Sequence, residues 1–582
     1  FAHQDVPVEM IVDALQPERN LSYPPLVQVG FALQNTPTAS IDYDDVTFSV
    51  IESAAVTSKY DMTLILAEHG DGYTGLVEYN TDLFLEASMA TFAEHFQTVV
   101  AQLSAKPEHS IDYYTLENHQ QLMALLSLET EQYEAVLPLT PMQRDLAFEH
   151  EIHPETTRNS MGLVVDLNFA IDLSLWQQAI DWVSNQHIMS RLRLVKSDKP
   201  YLDTVYQAVL NPISVPLVLE DFSAERWSES DLKQHCQSLI YQPYNLYSEP
   251  LVRHHLILLK NNRAKMIVMV NHIVADGIGG TYFAKQIVEA YEALSQKQPC
   301  VASDAVFQHY IEQAQSQFDH AQSYTYWQTV LANVEPLDYP VQAEKTAQFT
   351  VDTVMVENDE WANIKQYCRQ QRTTPALFFK AIYGLMLAEY CRAEQDFVIN
   401  EVVSGRSKQF LRAPGQFYQQ IPVFFPIDLL PLEGDLTDYF EHVKQFTRKL
   451  GQHQHLSLST QQRIVPQGRM HFYYNVYNFG MSFTAFGDAQ ATEQFTPVMM
   501  EEQVQLVLRQ SDVAMAISLE YTPRQFNGAG FSQRLLMVAE QVMQGVNRRQ
   551  DIQWLTAEEQ NQLQPYWQPH TVLMPEYSSV VE

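Results

Sequence analysis

Apolar and polar positions follow two rhythms along this chain. Residues 161–165 and 266–270 are short apolar runs of strand length, and 252–259 and 397–403 also read as strands. Residues 173–185, 375–390 and 436–451 instead read as helices. Strands interleaved with helices predict an α/β fold. Both rhythms meet in residues 265–295. There the apolar run 266–270 leads into a turn, and Phe283, Ile287, Tyr291 and Leu294 then recur at helical spacing. The turn carries His272, Asp276 and Gly277, with Gly279 and Gly280 opening the helix. A strand, a tight turn and a helix hold an imidazole at the end of a rigid element, a position suited to a general base.

The chain also repeats itself. LVEYNTDLF aligns with ISLEYTPRQF, so that Glu78 pairs with Glu520, 442 positions later, and Leu122 and Leu563 each end a Gln-rich helix. So long a period implies two copies of one large unit in tandem. The first copy is represented only by its closing part, residues 1–125. Residues 126–135 read as a linker, 136–300 and 301–555 as two halves of a complete second copy, and 556–582 as a further linker. Apolar runs at 26–33 and 62–67 in the first copy need a surface to bury against.

Composition narrows the function classes. The 582 residues are 46% hydrophobic and 11% aromatic, enough for several cores, and carry a net charge of −34. Basic residues occur at most in pairs such as Arg548-Arg549, which argues against a nucleic-acid surface. The four cysteines form no CxxC, so neither a disulfide framework nor a zinc site is expected, and a reducing cytoplasm fits. No apolar stretch is long enough to span a membrane. P-loop and GxGxxG patterns are absent, and the histidines lack ligand spacing, so no metal and no bound nucleotide is expected. The start at Phe1, in mid-pattern, reads as a cut from a longer polypeptide.

Five motifs, in order, give the second copy a family. NHIVADG (271–277) resembles the HHxxxDG motif of the condensation domains of non-ribosomal peptide synthetases. LPLTPMQRDL (137–146), NQHIMSRLR (185–193), YNLYSEPLVRHHLILL (244–259) and VVSGRSKQFLRAPGQFYQQIPVFF (402–425) are similar to the family's other motifs. Residues 2–35 resemble its closing motifs, of which 452–464 and 470–480 are degenerate versions, and residues 551–582 look like the linker into an adenylation domain.

The resemblance implies two chloramphenicol-acetyltransferase-like lobes in a V-shaped pseudo-dimer, preceded by a partial copy of the same fold. It implies amide formation between an acyl or peptidyl thioester and an amine. Both substrates would arrive on phosphopantetheine arms of donor and acceptor carrier proteins, with no cofactor bound directly and an adenylation domain downstream. His272 is the implied catalytic residue, either as a base or as a group that positions the amine. Asp276 and Arg406 are implied to form a buried pair joining the lobes, and Gly277 to permit a close backbone approach. Asn271 replaces the family's first histidine and Gln419 a common asparagine. Asn271 is not the aspartate of heterocyclising relatives, and IGGTYF lacks the Ser-Trp pair of epimerising ones. Phe417, Tyr418, Phe424 and Phe425 read as core packing. The alternatives are a catalytically silent condensation-like platform and an O-acyltransferase of the same superfamily, such as a wax-ester synthase.

Overall fold

A computed structural model describes residues 5–16, 26–34, 41–43, 46–48, 58–69, 72–105, 107, 119–198, 205–302, 307–311, 320–332, 334–337, 349–454, 460, 463–464, 471–477, 490–495, 503–511, 513–523 and 526–561. Most of the closing motif at 452–464 and the linker beyond 561 lie outside this set. The chain divides into two compact units, residues 1–121 and 122–582.

Unit 1 contains α1 (Val8–Leu15), β1 (Val29–Gln34), β2 (Ile41–Tyr43), β3 (Val46–Phe48), β4 (Met62–His69), β5 (Gly72–Tyr79) and α2 (Glu86–Ala105). Its sheet runs β1-β4-β5, with β1 and β4 parallel and β4 and β5 antiparallel. Among its described residues only Leu64 and Met89 are buried apolar side chains.

Unit 2 begins near α3 (His119–Leu125) and continues through β6 (Tyr133–Pro138), α4 (Pro141–Ile152), β7 (Ser160–Leu167), α5 (Leu173–Gln186), β8 (Leu192–Lys196), β9 (Val205–Leu210), β10 (Leu217–Asp221), α6 (Glu229–Ile240), β11 (Val252–Leu259), β12 (Arg263–Asn271) and α7 (Gly277–Ser295). The 266–270 run is the core of β12, paired with β11 on one side and β7 on the other. It is apolar on both faces for a reason. Met266, Val268 and Val270 pack into a core with Trp176 and Val183 of α5 and Phe283 and Ile287 of α7. Ile267 and Met269, pointing the other way, pack with Cys236 and Ile240 of α6.

The second half holds α8 (His320–Leu331), β13 (Glu335–Pro336), β14 (Thr350–Glu357), α9 (Asn358–Gln370), α10 (Pro375–Tyr390), β15 (Phe397–Val403), β16 (Gln419–Phe425), α11 (Thr437–Leu450), β17 (Phe472–Tyr477), β18 (Gln490–Phe495), β19 (Val504–Gln510), β20 (Ala514–Tyr521) and α12 (Phe531–Met543). Its sheet runs β13-β15-β17-β19-β20-β14, with β16 on β15. Phe379, Tyr383 and Leu387 of α10, Tyr439 of α11 and Leu535 of α12 form its core. Among the described residues, two segments cross between the halves. Phe410, Ala413, Phe417 and Tyr418 pack into the first half's core. β18 leaves the second half and pairs antiparallel with β7, completing the five-stranded sheet β10-β11-β12-β7-β18.

Candidate active site

His272 is the first residue past β12, in the turn that leads to α7. Four backbone-directed bonds fix this turn. The Asn271 N–H donates to the Leu251 carbonyl at 2.9 Å, and the His272 N–H to the Asn159 carbonyl at 2.7 Å. The Val274 N–H donates to the Asn271 carbonyl at 3.1 Å. The Asn271 side chain accepts from the Ile273 N–H at 3.0 Å, an Asx turn that a histidine would build differently. Asn271 is therefore built into the loop as a support.

Below the turn lies the motif at 137–146. Thr140 and Gln143 form a capping box at the start of α4. The Gln143 amide donates to the Ile273 carbonyl at 2.8 Å and to Gln207 Oε1 at 2.9 Å, and Gln207 donates back at 3.0 Å. Every donor of that buried amide is used, so the turn rests on a satisfied polar network rather than on loose packing.

Asp276 caps α7, its Oδ1 accepting from the Gly279 N–H at 2.7 Å. Its Oδ2 accepts from the Arg406 guanidinium and from the N–H groups of Phe417 and Tyr418 at 3.0 and 3.1 Å. The Arg406 side chain is only 1% exposed, donates to the Ala413 carbonyl at 3.1 Å, and lies 4.2 Å from the centre of the Phe417 ring. One carboxylate thus holds a helix start in the first half and a loop of the second half. A close backbone approach falls at Gly279. A Cβ on Gly279 would lie 2.2 Å from the Gly415 carbonyl oxygen. Gly405 and Gly415 adopt φ of +62° and +148° to complete the loop.

His272 is buried. Burial holds its imidazole below the ordinary value, opposed by the backbone of His272 and Ala275 and by Asp276. Its Nδ1 is buried and has no hydrogen-bond partner among the described residues. The Tyr418 ring lies beside it, 4.3 Å between centroids. Gln419 is buried, its amide donating to the Tyr310 hydroxyl at 3.3 Å and to the Phe417 carbonyl at 3.4 Å. The site therefore brings together His272, Asn271, Asp276 and Arg406. The 185–193 motif is used elsewhere. His187 bonds Gln286 of α7 at 2.5 Å, and Arg191 pairs with Glu134 at 2.5 Å. Tyr418, read from the sequence as core packing, does join the buried cluster of the first half; its contact with His272 had no sequence signal beyond a bulky ring in the 402–425 motif. An uncharged, buried imidazole at the end of a rigid strand can accept a proton or a hydrogen bond.

The fold is that of condensation domains in solved structures. A variant of the starter condensation domain of rhizomide synthetase, in complex with C8-CoA and Leu-SNAC, matches with a TM-score of 0.63. It is 17% identical and covers 75% of this chain and 100% of its own. The first condensation domain of the calcium-dependent antibiotic synthetase, in complex with substrate analogue 3a, matches at 0.60 with 16% identity, over 73% of this chain and 100% of its own. The condensation domain family model matches residues 1–126 and 133–564, and the chain belongs to that family. A linear gramicidin synthase polypeptide of Brevibacillus parabrevis is 42% identical over 127 residues, 21% of this chain. Surfactin synthase subunit 2 of Bacillus subtilis (strain 168) is 24% identical over 413 residues, 67% of this chain. This chain spans 2% and 11% of those two relatives.

Proposed function

We propose that unit 2 forms an amide bond between an acyl or peptidyl thioester and an amine, both presented on phosphopantetheine arms of carrier proteins. A donor and an acceptor carrier protein would be its partners, and an adenylation domain its neighbour downstream in a multimodular peptide synthetase. The observation that carries this reading is His272, buried and held below its ordinary pKa at the end of β12. The amine nitrogen attacks the thioester carbonyl, the C–S bond breaks, and the thiol leaves. The proton lost by nitrogen passes to sulfur, with His272 either carrying it or holding the amine for attack. An α-amine with a pKa near 8 needs only a weak base at neutral pH. The complexes of the rhizomide synthetase domain with C8-CoA and Leu-SNAC support thioester substrates for this fold.

The test is His272→Ala, assayed with an acyl carrier protein and an aminoacyl carrier protein. Amide formation should fall about a hundredfold or more, the range for a positioned acid–base group, with the fold unchanged by circular dichroism. A well-folded variant that keeps nearly the full rate would overturn the reading. Replacing the amine by an alcohol acceptor in the same assay separates amide formation from O-acyl transfer.

A further inference from the structure

Asp276 does not touch the imidazole through a hydrogen bond, yet its carboxylate receives the N–H of Tyr418, whose ring does touch it. We infer that Tyr418 is a positioning residue for His272: its ring, anchored through Asp276, fixes the plane of the imidazole and keeps water off it. This inference rests on His272 being the working group of the site.

Tyr418 has little freedom to move. Its N–H is bound to Asp276 at 3.1 Å, and its carbonyl accepts from the Gln416 amide at 3.0 Å. Gln416 in turn accepts from the Thr140 hydroxyl at 3.3 Å, at the cap of α4. Phe417, the residue before, is locked among Phe307, Tyr310 and Phe410 with ring centroids 5.2, 4.6 and 5.5 Å away. Backbone and neighbour are therefore both fixed, and β16 starts immediately after, at Gln419. A ring held in this way defines one wall of the imidazole's pocket and restricts its rotation.

The charged and titratable groups around the imidazole are few. Asp276 lies in its own turn, with Arg406 of the crossing loop bound to it. Tyr418 stands at the head of β16, and Asp145 and Glu149 of α4 act on its phenol. Burial first, then Glu149, Asp145, Asp276 and Tyr477, push that phenol far above its ordinary value, so it remains neutral. The ring is the part that meets the imidazole, and Phe should replace it.

The experiment compares Tyr418→Phe, Tyr418→Ala and Tyr418→Leu in the whole chain. Two readouts are taken: the pH dependence of amide formation, and the titration of His272 followed by NMR of ring-labelled histidine. Tyr418→Phe should retain rate and titration. Tyr418→Ala should lower kcat at least about tenfold, the scale of a misplaced group, with a smaller change in KM. It should also raise the His272 pKa towards about 6.5, so that activity is lost at a higher pH on acidification. Tyr418→Leu, which keeps much of the volume, serves if the alanine variant fails to fold and should lose rate in the same direction. Folded Ala or Leu variants with unchanged kcat and unchanged titration would overturn the inference. Since the titration does not depend on catalysis, it separates two failures. An inactive His272→Ala beside a neutral Tyr418→Ala sinks only the role of Tyr418. An active His272→Ala sinks the base.

Discussion

Unit 1 and the closing part of unit 2 carry the same three strands and bury them very differently. β1, β4 and β5 align with β17, β19 and β20 at offsets of 443, 442 and 442, and each set joins a parallel pair to an antiparallel one. In unit 1, Val29 and Phe31 are 59% and 65% exposed; their counterparts Phe472 and Tyr474 are 1% and 0% exposed. The difference lies in what stands beside the strands. In unit 2, β15 pairs with β17, β14 pairs with β20, and the Tyr474 hydroxyl donates to the Ala376 carbonyl of α10. Among the described residues of unit 1, β1 and β5 are the edges of the sheet, with no further strand paired to either. An apolar pattern thus records that a face wants cover; it does not say that the cover is present.

The sharpest test of this contrast is a matched pair of truncations. Tyr474→Ala should cost about 3–5 kcal/mol in denaturant unfolding, the price of emptying an aromatic site in a packed core. Phe31→Ala should cost less than about 0.5 kcal/mol, as expected for a side chain in water. Equal losses would show that the face of unit 1 is covered in solution.

A loss of similar size should follow from untying the halves of unit 2. Arg406→Ala leaves Asp276 buried without its cation and should destabilise by an amount on the order of 3–5 kcal/mol. Arg406 lies in unit 2, so the amide-exchange pattern of unit 1 should not change. A variant with an unaltered unfolding midpoint would mean that the backbone N–H groups of Phe417 and Tyr418 satisfy the carboxylate alone.

Acid should also act on unit 2. Burial pushes His187 and His254 down to about 4, and both ring nitrogens of His254 lack partners among the described residues. Unfolding returns each to about 6.5, so the unfolded chain binds more protons in between. Stability is then full above about pH 6.5 and falls towards pH 4, by up to about 1.4 kcal/mol per histidine per unit. Among the described residues of unit 1 no histidine is buried. Denaturant midpoints of His254→Gln and the parent at pH 7 and pH 5 check this: the parent should lose more. The smallest effect expected is from deleting residues 1–121, which should leave amide formation unchanged, because every residue placed at the site lies in unit 2. Loss of activity in a folded remainder would show that the copies work as one.

Much of the site could be read from the chain because its chemistry is local. The strand–turn–helix around His272 announces itself by a change of period within thirty residues. Asp276 and Arg406, 130 positions apart, were reached through motif resemblance, since no periodicity links a helix cap to a distant loop. The steric demand at Gly279 is set by where the Gly415 carbonyl comes to rest, which no local pattern announces. Tyr418 reads as core packing and does pack there. Its contact with the imidazole depends on how one half of the unit docks on the other. The insertion of β18 beside β7 was equally invisible, since backbone pairing between halves leaves no mark on side-chain pattern.

That inserted strand makes the order of synthesis matter. Asp166 of β7 waits for Gln490 of β18, 324 positions later in the chain. At about 5–20 residues per second, the ribosome needs roughly 20–60 s to deliver it. Throughout that interval the growing polypeptide shows an unpaired apolar edge, the feature by which strands of neighbouring molecules recruit one another. The first half of unit 2 can collapse early, but its sheet is closed only when the second half is nearly finished, so holdase chaperones acting on the nascent chain should raise the yield of soluble protein.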